Sequence, residues 1–122
     1  LTKICGDFRE TGLRSIYAEN ANVVECLSSS GEGAFAANNF LESVNLPMLG
    51  ELETGAFYKC SGLSDVNLPL VGTVGEYAFA SCQSLSEISL PQARQIGEHA
   101  FDYCPNKQKV PMFSHRDLLF IL

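Results

Sequence analysis

The chain has 122 residues, 46% of them hydrophobic and 18% charged, enough for one domain that buries roughly two-thirds of its unfolded surface. Its 8 Lys and Arg against 14 Asp and Glu leave a net charge of −6, which disfavours the polyanions nucleic acid and acidic lipid as partners. The longest apolar run, LLFIL at 118–122, is far short of the 18 or so residues that span a membrane, so no membrane insertion is expected.

The first residue is Leu1 and no basic and apolar leader precedes the body of the chain, so the sequence reads as a processed or trimmed fragment of a longer protein. Ile4, Gly6 and Phe8, then Leu13 and Ile16, look like a worn copy of a phrase repeated later. Residues 14–32 fall out of register with it, and 1–32 are assigned to an N-terminal cap or degenerate repeat. SSSGEG at 28–33 has small residues and hydroxyls but no lysine at phosphate-loop spacing, so it reads as a loop.

From residue 33 the chain repeats itself. Ala-Phe pairs stand at 34/35, 56/57, 78/79 and 100/101, a constant step of 22 residues. Between them run fixed apolar columns: Leu41, Leu63 and Leu85; Val44, Val66 and Ile88; Leu46, Leu68 and Leu90; Leu52, Val74 and Ile96. A period in the twenties marks a solenoid, in which no unit can bury its own apolar face and neighbours supply the core. Alternation at DVNL and EISL predicts a short strand in each repeat, and stacking sets equivalent strands parallel at about 4.8 Å. Pro47, Pro69 and Pro91 end those strands, because proline donates nothing to a ladder. A second short strand is predicted around Val74 and Ile96. Gly75, Gly97 and Gly55 are expected to relax the backbone dihedrals at the next corner, and YAFASC at 77–82 to form a helical or 3-10 turn.

The phrase carried by Leu63, Val66, Leu68, Pro69, Val74, Gly75, Ala78, Phe79 and Cys82, and again by Leu85, Ile88, Leu90, Pro91, Ile96, Gly97, Ala100, Phe101 and Cys104, resembles the BspA-like leucine-rich repeat. The resemblance covers residues 33–104 and implies a leucine-rich-repeat solenoid: short parallel β-strands stacked one per repeat, joined by turns and short helical or 3-10 segments. It also implies a noncatalytic module of a cell-surface or secreted protein that binds or adheres to a protein ligand, such as a host or extracellular matrix protein. The competing reading is a structural spacer or self-association unit. Residues 105–122 form a degenerate last repeat and tail. Lys107 there takes the leucine column and Pro111 weakens further pairing, and the tail is where self-association is expected.

Five cysteines are an odd set, and the column Cys60, Cys82 and Cys104 lacks the close pairs of a zinc site, so buried thiols are expected. Asn38 fills the same column and suits a side chain bonding the turn backbone; Cys5 and Cys26 lie outside it, their pairing open. His99 and His115 have no nucleophile and carboxylate in a recognisable arrangement. No cofactor and no metal is implied. The binding face is assigned to the outward rows of the strands, Ser43, Asp65 and Glu87 in one and Asn45, Asn67 and Ser89 in the next. Tyr58, Tyr77 and Tyr103 occupy columns that vary between repeats, where packing and contact roles are equally open.

Overall fold

The computed structural model describes residues 3–26 and 33–105. They coil into a parallel β-solenoid whose strands are β1 (Lys3–Gly6), β2 (Ser15–Tyr17), β3 (Val23–Cys26), β4 (Ser43–Asn45), β5 (Glu51–Leu52), β6 (Asp65–Asn67), β7 (Thr73–Val74) and β8 (Gln95–Ile96). β2, β4 and β6 form one sheet, β5, β7 and β8 a second, and β1 and β3 a third. Every pairing is parallel and joins equivalent residues, Val44 to Val66 and Leu52 to Val74 to Ile96.

The short strands follow from one buried residue between two outward ones. Val44 is 1% exposed while Ser43 and Asn45 on either side keep partial access to solvent, which is the two-residue period of a strand with one wet face. A turn follows each strand, closed by the Leu49 N–H on the Leu46 carbonyl at 3.2 Å and by Ala93 on Leu90 at 3.1 Å. Pro47 and Pro91 sit second in these turns, where a fixed φ and a missing donor do no harm.

Gly75 and Gly97 serve a purpose other than the dihedral freedom their sequence suggests. Neither has a positive φ; a Cβ at Gly75 would lie 2.6 Å from the Glu53 and Thr54 backbone, and one at Gly97 2.6 Å from Glu76. They are small because the preceding turn of chain passes against them. Gly55 alone of the three is left-handed, at φ 66.

The Ala-Phe pairs build the centre. Phe8, Phe35, Phe57, Phe79 and Phe101 form one file with successive ring centroids 5.4–5.6 Å apart and planes within 16° of parallel. This is the offset stacking that aromatic rings favour. Backbone bonds lock the file, the Phe57 N–H on the Ala78 carbonyl and the Phe79 N–H on the Ala100 carbonyl, each 2.8 Å. Burial of each phenylalanine contributes roughly 1.5–3 kcal/mol of transfer free energy.

Two expectations need correction. The described residues hold no helix, so YAFASC is neither an α- nor a 3-10 helix. Ala80 bonds back to Tyr77 and Cys82 to Phe79 at i to i+3 spacing, but Tyr77 and Ser81 have φ of 58 and 62, and each left-handed residue stops a helix from propagating. EISL is also less regular than DVNL: it keeps a single bridge at Ser89. Ser64 and Asp65 both bond the Glu42 carbonyl at 3.1 Å, and among the described residues Ser86 and Glu87 show no matching bonds.

The N-terminal segment joins the same stack. Ile16 pairs with Val44, and Phe8 heads the phenylalanine file. Phe8 and Phe35 are 27 residues apart instead of 22 because the step from Phe8 to Leu13 is one residue shorter than that from Phe35 to Leu41, and the step from Val24 to Phe35 is six residues longer than that from Leu52 to Phe57.

Candidate functional site: an open sheet face

The outward side chains of the first sheet stand in two rows. Ser43 lies in register with Asp65 and Asn45 with Asn67, and Ser15 and Tyr17 extend these rows toward the N-terminus. Asp65, Asn67, Glu87 and Ser89 are exposed, whereas Ser43 and Asn45 are half-buried. Asn67 Nδ2 donates to Asn45 Oδ1 at 2.8 Å, which fixes how both carboxamides face solvent. At the entry to the strands Arg14 Nη1 lies 3.4 Å from Glu42 Oε2, an exposed pair of small energetic worth.

Ser15 and Tyr17 were missed as members of the face, although Leu13 and Ile16 have the spacing of Leu41 and Val44. Tyr17 is 65% exposed, a large ring at the end of the asparagine row. Two cavities lie away from these rows. One of about 220 Å³ opens between β3 and β5 beside Val24, Gly50 and Leu52, and one of about 480 Å³ beside Gly12, Asn39, Phe40 and Lys59. The face thus presents hydroxyls, carboxamides and carboxylates on an open surface, a chemistry of hydrogen bonding and charge contact.

The cysteine column is interior. Cys60, Cys82 and Cys104 donate their thiols to the carbonyls of Phe35, Phe57 and Phe79 at 3.1–3.2 Å. Burial pushes the Cys60 thiol up to about 11 and the Cys82 thiol higher still, the latter raised further by Cys60 and Cys104 beside it. Both are held protonated at neutral pH, the form that can donate and cannot attack. Asn38 does the same work in the first repeat: its Nδ2 donates to the Phe8 and Phe35 carbonyls at 2.8 and 2.9 Å, and its Oδ1 accepts from the Thr11 N–H. The register of β1 and β3 sets Cys26 opposite Gly6 and Cys5 opposite Glu25. Among the described residues no group of three or more His, Cys, Asp or Glu is gathered to hold a metal ion.

His99 is exposed, with Nδ1 2.6 Å from Asp102 Oδ2 and its ring stacked on Tyr77 at 4.9 Å. Tyr58 meets Tyr77 edge-on at 6.2 Å. These rings lie at the corner beside the Ala-Phe turns, away from the strand rows. His115 and the tail lie outside the described residues. Among the described residues no helix is long and apolar enough to cross a membrane.

No curated protein and no solved structure matches the chain. The model of the BspA type leucine rich repeat region matches it in six copies over residues 8–116, a span that takes in Phe8, Leu13 and Ile16 of the worn N-terminal copy and the repeats of constant step. With that match over most of its length, and with equivalent strands stacked in register, the chain belongs to the BspA type leucine rich repeat family.

Proposed function

We propose that this chain is a noncatalytic recognition and adhesion module of a surface or secreted protein, binding a protein ligand such as a host or extracellular matrix protein through the rows Ser43, Asp65, Glu87 and Asn45, Asn67, Ser89. The observation that carries the reading is the contrast between columns. Inward positions stay apolar from rung to rung, whereas the outward positions between them are polar, mostly vary, and are exposed or half-buried. A rigid interior that displays changeable side chains suits recognition, and the family's repeats generally serve protein interaction or adhesion. In this reading the repeats of residues 33–104 contact the ligand.

Surface plasmon resonance on immobilised extracellular matrix proteins tests the proposal. Asp65→Ala with Glu87→Ala should weaken a saturable signal while leaving the melting temperature unchanged; a signal indifferent to every row residue would exclude this face as the binding surface. A second reading, a spacer or self-association unit, draws on the rung-to-rung bonding, since a stack built by edge pairing can continue into another copy. Light scattering across a concentration series separates them: growth with concentration supports self-association, a monomer supports recognition.

A further inference from the structure

The corner beside the Ala-Phe turns carries a second arrangement, independent of the strand face. In one column Gly55, Tyr77 and His99 have φ of 66, 58 and 63; in another Lys59, Ser81 and Tyr103 each have φ of 62. The left-handed region is free for glycine and costs other residues about 1 kcal/mol or more. Gly55 shows that glycine fits this corner, yet the following two repeats hold a tyrosine and a histidine there. Large side chains in glycine's conformation are a reason to ask what they display.

They display a fixed aromatic surface with an acidic border. Tyr77 is held between the edge of Tyr58 and the face of His99, and His99 is held by Asp102. Tyr77 is 41% and Tyr103 80% exposed. Glu76 and Glu98, both exposed, precede Tyr77 and His99 directly, and the chain as a whole carries −6. The corner also already binds one cation: Lys59 Nζ lies over the Tyr58 ring, 5.1 Å from its centroid. Rings bordered by carboxylates attract ammonium and guanidinium groups through the negative ring face and through charge. Tyr77 and His99, held by their neighbours, lose little freedom when contacted.

We propose that the corner bearing Tyr77, His99 and Tyr103 is a contact surface for an arginine- or lysine-bearing segment of a partner protein. A cationic side chain seats on the open Tyr103 ring, and its neighbours engage Glu98, Tyr77 and Glu76 along the column.

The test uses the full chain and a fluorescein-labelled hexa-arginine peptide, with a hexaglutamate peptide as control. Saturable binding is expected for the cationic peptide alone, with amide shifts in NMR spectra centred on Tyr77, His99 and Tyr103. Tyr77→Gly with Tyr103→Gly removes the rings, keeps every charge and places glycine where φ favours it. This variant should melt close to the parent yet bind about tenfold more weakly, as the loss of two exposed cation contacts implies. Glu76→Gln with Glu98→Gln, which leaves the rings in place, should also weaken binding and flatten its salt dependence. Equal affinity in the parent and the glycine variant, or shifts as large at Asp65 and Glu87 as at the corner, would overturn the proposal and show general attraction to an acidic protein. Because no strand-row residue is altered, loss of matrix binding in the earlier experiment leaves this one standing, and the converse holds too.

Discussion

Phe79 lies between the rings of Phe57 and Phe101 at 5.6 and 5.4 Å and is fully buried. Truncation there opens a cavity inside a file of stacked rings that the rigid rungs cannot close. Phe79→Ala should therefore cost ~3–5 kcal/mol in urea unfolding, and a loss below ~1 kcal/mol would contradict the packing described. Cys60 makes a prediction of opposite character. Its thiol is raised from 9.0 to about 11 by burial, so between those values the unfolded chain releases a proton that the folded chain keeps. Stability is then level below pH 9 and declines as pH rises toward 11. Urea midpoints at pH 7, 9 and 10 should show this decline, and Cys60→Ala should make it shallower by removing one of the thiols responsible.

At the scale of elements, the distance between one turn of chain and the next is set by what the corners can hold. A methyl group on Gly75 meets the Glu53 and Thr54 backbone at 2.6 Å, and backbone yields far less than a side chain tip. Gly75→Ala should cost about 1–3 kcal/mol by overpacking, read as a lowered thermal midpoint; the same change at Gly50, where an added Cβ has nothing within 4 Å, should be mild. This contrast explains how much of the molecule was legible beforehand. Leu63, Val66 and Phe79 could be placed from spacing because a constant period aligns like with like. The duty of Gly75 was hidden, since it depends on a neighbour 22 residues away in sequence whose path no local pattern reveals. Tyr77 and His99 in a left-handed corner were hidden too, for neither residue type signals that conformation. On the candidate face the rows from Ser43 to Ser89 were readable by alternation, but Ser15 and Tyr17 were not, because the longer connection after Val24 sets them 28 residues from Ser43 and Asn45 instead of one period away.

For the whole molecule, stability is the sum of like interfaces between like turns, so it should respond to the number of turns in steps. Excising residues 63–84, one complete period, joins Gly62 to Leu85 and keeps every column aligned. The shortened protein should fold with unchanged strand signature by circular dichroism and melt at a lower temperature. Removal of 74–84, half a period, brings outward residues into the interior and should abolish the cooperative transition. The stack is not uniform, however. β1 and β3 pair with each other and not with β5, and a cavity of about 220 Å³ lies between them and the second sheet. The first turn is thereby fastened to the rest by β2 against β4 and at the corner of Phe8, whose N–H bonds the Ala34 carbonyl, but not by β1 and β3. Like a zip with its top teeth parted, the molecule has a built-in place to begin coming undone, and amide protons of Lys3–Gly6 should exchange with deuterium ahead of those in Asp65–Asn67.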